Sequence, residues 1–325
     1  MSYKIAINGY GNLGRGAELA IAAAEDLELV AIFTRRDPST ITSVTGAPVV
    51  HLDDLPQWAD KIDVLANCGG SATDLATQTP AALKYCNTVD TFDTHPKIPT
   101  YFASVDEVAR QNNKIALISV GWDPGLFSIA RVYAESVLPQ GSTTTFWGRG
   151  VSQGHSDALR RIEGVADAKQ YTIPLESAIE AARKGEADSL TTREKHLREC
   201  WVVLEEGADA EKITNTIVNM PDYFADYDTK VNFISQEELD EKHSGMPHGG
   251  FVVRSGSTSE GNNHTVEFSL DLDSNPEFTG SMVAASARAV ARMAEKGETG
   301  ARTLFDVAPG LLLPQSSDVL RATML

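Results

Sequence analysis

Two carboxylates set the chemical question. Asp93 sits in Val89-Asp90-Thr91-Phe92-Asp93-Thr94-His95 and Asp123 in Gly121-Trp122-Asp123-Pro124-Gly125. Each follows an apolar run, and both fall on the same expected sheet edge. Carboxylates placed beside a nicotinamide ring hold an ammonium group, and one of them accepts its proton before hydride leaves the α-carbon. The proton must go first, because a protonated amine has no lone pair with which to form an iminium. The same residues also suit plain turns, Asp93 as a cap and Asp123 ahead of Pro124. Spacing alone leaves both readings open.

A ring to receive hydride needs a dinucleotide site, and Gly9-Tyr10-Gly11-Asn12-Leu13-Gly14 has the pattern for one. The first glycine makes a tight turn, the second lets backbone approach a pyrophosphate, and the third lets helix and strand pack closely. The helix that follows offers free N–H groups and the positive end of its dipole. A glycine-rich turn without ligand has the same pattern. The strand before it and the helix after it favour the nucleotide. An NAD site carries Asp or Glu near the end of the second strand. Here that strand ends Phe33-Thr34-Arg35-Arg36, with Asp37 only later. A hydroxyl and two guanidinium groups suit a 2′-phosphate, so Thr34, Arg35 and Arg36 read as an NADP clamp, blunted somewhat by Asp37. Cys68-Gly69-Gly70-Ser71-Ala72-Thr73 follows a third strand and lets ribose and phosphate lie against backbone. A helix cap at Ser71 or Thr73 is compatible with that role.

The elements that must position these groups follow from hydrophobic pattern. Strands are expected over 3–8, 29–33, 64–66, 88–89 and 115–118, with helices over 12–24 and 102–111. Short apolar runs alternating with helices predict a Rossmann-type, doubly wound parallel sheet of the α/β class. After residue 121 the texture changes. Strands are expected over 143–147, 200–204, 230–234, 251–254 and 264–272, helices over 156–162, 175–184 and 209–219, and a polar loop over 255–262. This predicts a second, α+β domain on a mostly antiparallel sheet. An Ala-rich helix over 280–296 is read as returning to the first domain. The expected division is residues 1–121 (with 278–325 packed back) for the dinucleotide and 122–277 for substrate. A hinge near Gly121 would close the two domains.

Composition bounds the partners. The 325 residues carry 45 acidic and 28 basic side chains, a formal net charge of −17. The acid excess argues against nucleic acid, which requires a Lys/Arg surplus. No apolar run approaches the length of a membrane span. The chain opens directly into strand pattern, so no signal peptide is expected. Cys68, Cys86 and Cys200 form no CxxC pair and point to buried thiols in a reducing, cytoplasmic setting. The histidines show no metal-ligand spacing, so no metal is expected. Polar candidates in the second half are Trp147, Gln153, Gly154, Thr172, Arg198, His248 and Asn275. Arg198 leads into an apolar strand, where it could clamp a carboxylate.

The runs 8–15, 33–36, 89–95, 121–128, 145–148, 152–162, 220–224, 230–234, 244–250 and 263–267 together resemble the meso-diaminopimelate D-dehydrogenases, NADP-dependent enzymes of bacterial lysine biosynthesis. The most specific are Ser152-Gln153-Gly154-His155-Ser156-Asp157-Ala158-Leu159-Arg160-Arg161 and Met246-Pro247-His248-Gly249-Gly250. The resemblance implies reversible oxidative deamination of the D-centre of meso-2,6-diaminopimelate by a homodimer whose contact lies in the second domain. It places the cofactor on Gly9 to Gly14, Thr34 to Arg36, Cys68 to Thr73, Thr91, Phe92 and Asp93, and Val120, Gly121, Trp122, Asp123 and Pro124. It places Asp93 and Asp123 at the reacting D-amino end, with Trp122, Trp147, Gln153 and Gly154 lining the substrate. Thr172, Arg198, His248 and Asn275 fall around the distal L-centre. Thr34, Phe92 and Val120 depart from the family's expected Ser, Tyr and Thr. Competing readings are a saccharopine-reductase-like or homoserine-dehydrogenase-like NADP oxidoreductase, and a dinucleotide sensor that would need neither Asp93 nor Asp123.

Overall fold

The computed structural model describes residues 2–325; the sequence reading at Met1 lies outside them. The chain divides into two compact units, Met1–Ile129 with Pro276–Leu325, and Ala130–Asn275.

The first unit is built on strands β1 (Tyr3–Asn8), β2 (Leu27–Thr34), β3 (Val49–His51), β4 (Val64–Asn67), β5 (Asn87–Asp90) and β6 (Ile115–Leu117). They form one parallel sheet, closed at one edge by a strand from near the chain end, β14 (Gly300–Arg302). The spatial order is β14-β6-β5-β4-β1-β2-β3. Connections run outward in opposite directions from β1 and β4, which makes the crevice beyond their carboxyl ends the place where ligands bind in such sheets. Ile5, Ala6 and Ile7 on β1 and Val64, Leu65 and Ala66 on β4 are all fully buried, which explains their unbroken apolar runs. One face packs Ile5, Ile7 and Ile21 against Val283, Ala287 and Val290 of the long helix Asn275–Glu295. Each buried Ile or Val side chain there contributes about 1.5–3 kcal/mol. Arg288 ties that helix down, donating two bonds to Asp26 at 2.6 and 2.7 Å.

The second unit holds β7 (Gly141–Trp147), β8 (Gly150–Val151), β9 (Val165–Pro174), β10 (His196–Leu204), β11 (Asp228–Phe233), β12 (His248–Ser259) and β13 (Asn262–Leu272). They make two sheets rather than the one expected: β11-β10-β9-β8, and β13-β12-β7. All pairs are antiparallel except β10–β11, which is parallel. Leu159, Val165, Ala168, Cys200, Val202 and Phe224 form a core beneath the first of these sheets.

Four local differences from the sequence reading have physical causes. The polar stretch 255–262 is mostly strand, with only Glu260 and Gly261 turning the hairpin. Thr258 to Asn262 lie exposed at the end of a ribbon that cross-strand bonds hold. β9 goes unread because Ala166-Asp167-Ala168-Lys169-Gln170 has weak strand propensity, which pairing with β8 and β10 overrides. The helix Gln153–Arg160 starts three residues early because the Ser152 side chain caps it. The helix Ile98–Gln111 starts four residues early, with Pro99 in its first turn. Among the described residues, no helix is long and apolar enough to cross a membrane.

Candidate functional site

The loops beyond β1, β2, β4, β5 and β6 are laced together within the first unit. Gly9 has φ +97°, and a Cβ there would come within 3.3 Å of Cys68 backbone. A Cβ on Gly14 would sit 2.2 Å from Gly9 O, so helix and strand meet as closely as the motif requires. Around Gly11, by contrast, a Cβ would meet nothing within 4 Å. Gly11 gives the helix Asn12–Ala22 no side-chain cap, which leaves room at its start for an anion against backbone. Asn12 is exposed and Leu13 half-buried in the first turn.

Of the three residues expected to clamp a 2′-phosphate, Arg36 reaches this turn. The Arg36 guanidinium donates to Tyr10 O at 2.7 Å, and the Arg36 N–H donates to the Thr34 hydroxyl at 3.0 Å. Arg35 pairs with Asp74 at 2.7 Å, which joins the end of β2 to the loop after β4. In that loop Asp74 also accepts from Gly70 N at 3.1 Å, and Ala72 and Thr73 are exposed. Ser71 continues the chain of contacts, accepting from Asp93 N at 2.8 Å and donating to Thr91 O at 3.4 Å.

Asp93 follows β5 with its side chain exposed, and Asp123 follows β6 half-buried. These strands are hydrogen-bonded neighbours. Trp122 is buried edge-on against Phe127, with ring centroids 5.2 Å apart. Gly121 and Trp122 accept through their carbonyls from Leu126 N and Phe127 N, fixing the turn around Pro124. Phe92 is 3% exposed and stacked on Tyr101 at 4.0 Å, so its ring lies in the core and only its backbone is left for a ligand.

The second unit gathers a separate polar cluster. Thr172 on β9 and Arg198 on β10 are directly opposite in register, and the guanidinium donates to the Thr172 hydroxyl. Arg198 is buried with its Cζ 3.9 Å from the centre of the Tyr227 ring. Its Nε lacks any acceptor in the protein, an unsatisfied donor that suits a carboxylate ligand. Gly150 pairs with Thr172, and a Cβ on it would strike the His248 ring at 2.5 Å, so His248 lies against this cluster. Burial, then the Arg198 charge, pushes His155 and His196 down to about 4. Burial also lowers His248. The histidines thus stay neutral around one buried cation. Gln153 donates to Met246 Sδ at 3.3 Å, and Asn275 N donates to Met246 O at 3.0 Å. Gly154 is open on its Cβ side. Trp147 is 40% exposed, its ring stacked over His196, and its main-chain N–H donates to His196 Nε2 at 3.1 Å.

Residues 121–274 match the diaminopimelic acid dehydrogenase C-terminal domain. The meso-diaminopimelate D-dehydrogenase of Ureibacillus thermosphaericus is 57% identical over 322 residues, 99% of each chain. The chain belongs to the meso-diaminopimelate D-dehydrogenase family. A Corynebacterium glutamicum DAP dehydrogenase solved with DAP shares 50% identity and a TM-score of 0.92, covering 100% of this chain and 99% of that one. An engineered D-amino acid dehydrogenase bound to NADP+ shares 48% identity at TM-score 0.87, covering 100% of both.

For this member of the meso-diaminopimelate D-dehydrogenase family, sequence reasoning missed several residues that hold the site in shape. Asp74 pairs with Arg35. Buried Glu18 accepts from the hydroxyls of Tyr10, Ser43 and Thr45 and from the Thr45 amide, pinning the loop after β2 to Tyr10. Burial pushes Glu18 up, but these donors outweigh it and hold it down to about 2. Asp90, Tyr101, His196 and Tyr227 were also unmarked. The one available signal was an acid at each of positions 18 and 90 inside an apolar pattern.

Proposed function

We propose that the chain catalyses reversible, NADP-dependent oxidative deamination of the D-centre of meso-2,6-diaminopimelate. Diaminopimelate, NADP+ and water give L-2-amino-6-oxopimelate, ammonium, NADPH and a proton. The keto product is the open form of tetrahydrodipicolinate, which places the reaction in diaminopimelate and lysine biosynthesis. The observation that carries the reading is the laced crevice of the first unit, with two carboxylates on adjacent loops. The buried Arg198–Thr172 cluster and membership of the family add to it.

The residues present fit the cofactor. Gly9, Tyr10, Gly11, Asn12, Leu13 and Gly14 offer backbone to a pyrophosphate, and the open space at Gly11 leaves it room. Thr34, Arg35 and Arg36 take a 2′-phosphate. The backbone of Cys68, Gly69, Gly70, Ser71, Ala72 and Thr73, of Thr91 and Phe92, and of Val120, Gly121 and Pro124 lines the remainder. NADP, when bound, supplies a hydride acceptor. Asp93 and Asp123 hold the substrate ammonium, and one of them, or a water between them, takes its proton so that the nitrogen lone pair can push the α-hydrogen out. Arg198 and Thr172, with His248 and Asn275, grip the distal carboxylate and amine, so remote binding is used to orient the reacting carbon. Trp122, Trp147, Gln153 and Gly154 line the substrate. Only the D-centre then presents its hydrogen while the L-end meets its partners.

The reading assigns the cofactor to residues 1–121 with 278–325, and the substrate and a homodimer contact to 122–277. The free thiols Cys68, Cys86 and Cys200 fit a reducing cytoplasm. The deciding assay offers meso-, LL- and DD-diaminopimelate with NADP+ and NAD+ at alkaline pH. The expected result is NADPH formation dominated by the meso isomer. No reduction of NADP+ with that isomer refutes the proposal.

A further inference from the structure

The loops bearing Asp93 and Asp123 are bound to a single buried carboxylate that itself faces neither loop's exposed surface. Asp90, the last residue of β5, is 0% exposed. Its Oδ1 accepts from Phe92 N at 3.1 Å, one residue before Asp93, and from Ser119 N at 3.1 Å. Its main-chain oxygen accepts from Val120 N at 2.8 Å. Its Oδ2 accepts from the Thr79 hydroxyl at 2.9 Å and from the Tyr101 hydroxyl, which fix the carboxylate from the opposite side. Thr79 is in turn held by Asn67, and Asn67 Oδ1 accepts from Asn8 on β1. Ser119 stands at φ +57°, in the left-handed region, with its N–H turned onto Asp90. The loop after β6 therefore leaves its strand in a conformation that this acceptor holds in place.

From this junction we infer that Asp90 is a positioning residue for the reaction proposed above: its Oδ1 sets the spacing of Asp93 and Asp123 by binding both loops at once. The inference rests on that functional reading. Asp90 touches no substrate. It acts through the Phe92 and Ser119 amides.

The test compares full-length wild type, Asp90→Ala, Asp90→Asn and Val105→Ala. Val105 is a fully buried core residue on the same helix as Tyr101, without a bond to either loop. kcat and KM for meso-diaminopimelate with NADP+ are read together with amide exchange at Phe92 and Ser119. Asp90→Ala is expected to lower kcat tenfold or more and to speed both exchanges tenfold. Asp90→Asn keeps an acceptor oxygen toward the two amides and is expected to restore both readouts to within threefold. Val105→Ala lowers the melting temperature without changing kcat. Wild-type kcat in Asp90→Ala, or Asp90→Asn as impaired as Asp90→Ala, overturns the inference. If Asp90→Ala does not fold, wild-type exchange still decides: the Phe92 and Ser119 amides must be the slowest of their loops, and fast exchange there overturns it. A wild type inactive on the diamine sinks the functional reading instead, and the exchange data then judge the anchor alone.

Discussion

Replacing Arg36 by Ala tests the cofactor assignment most directly. The Arg36 guanidinium is held 2.7 Å from Tyr10 O, so it is already fixed at the edge of the glycine turn. A charge-assisted hydrogen bond to a phosphate is worth about 1.5–3 kcal/mol, which converts to roughly 10- to 150-fold in dissociation constant. NAD+ has no 2′-phosphate and loses none of this. Any loosening of the turn itself weakens both cofactors alike, so the ratio of the two constants isolates the phosphate contact. Arg35 starts from a different position. To serve the phosphate it must leave or share Asp74, an exposed pair worth about 0.2–1 kcal/mol. Arg35→Ala is therefore expected to cost less than Arg36→Ala. Asp74→Asn, which frees Arg35, should tighten NADP+ about 1.4- to 5-fold and leave NAD+ unchanged. Calorimetric titration of both cofactors at fixed ionic strength measures all three variants, since exposed pairs are screened by salt. Equal weakening of NADP+ and NAD+ in Arg36→Ala would show that the guanidinium braces the turn and reads no phosphate.

Two further outcomes follow from the second unit. Arg198→Ala should lower kcat/KM on meso-diaminopimelate by roughly 10- to 150-fold, the loss of a charge-assisted clamp, while a short D-amino acid without a distal end is unaffected; unchanged kcat/KM on the diamine rules out the distal anchor. Stability should fall as pH drops from 6.5 toward 4. His196, depressed to about 4, binds its proton in the unfolded chain first, so the unfolded state holds more protons across that window. The loss from His196 alone is about 2 kcal/mol by pH 5. Glu18, held down to about 2, loses its contribution only as pH falls below its ordinary value near 4.5, and in the same direction, so it does not mask the effect. Urea unfolding at pH 7 and pH 5 measures the difference, and equal midpoints contradict it.

The doubly wound sheet was legible because its strands are buried on both faces. Tyr3–Asn8 and Val64–Asn67 spell their burial in unbroken apolar runs, and the glycine turn falls between strand and helix where a nucleotide needs it. Short edge strands were not legible for the opposite reason. Val49–His51 and Gly300–Arg302 are three residues each and gain their order from pairing with β2 and β6, which leaves too little apolar periodicity to read. In the candidate site, Asp93, Asp123 and the two clamp arginines stood out by type. That Thr172 faces Arg198 depends on register between strands, and register leaves no mark in either segment alone. The assignment of distal-end residues came from family resemblance and not from spacing. Asp74 and Asp90 escaped because the groups they bind, the Arg35 guanidinium and the Phe92 and Ser119 amides, are brought to them only by the fold.

The first unit's sheet is finished by Gly300–Arg302, and one of its faces is covered by the helix that ends at Glu295. During synthesis, all of Ala130–Asn275 is made before those pieces exist. The glycine turn and clamp therefore emerge early on a sheet that lacks its last edge and much of one cover. The inserted unit is the first to have all its elements synthesised, and chains that end before Pro276 hold Ile5, Ile7 and Ile21 without the cover of Val283, Ala287 and Val290.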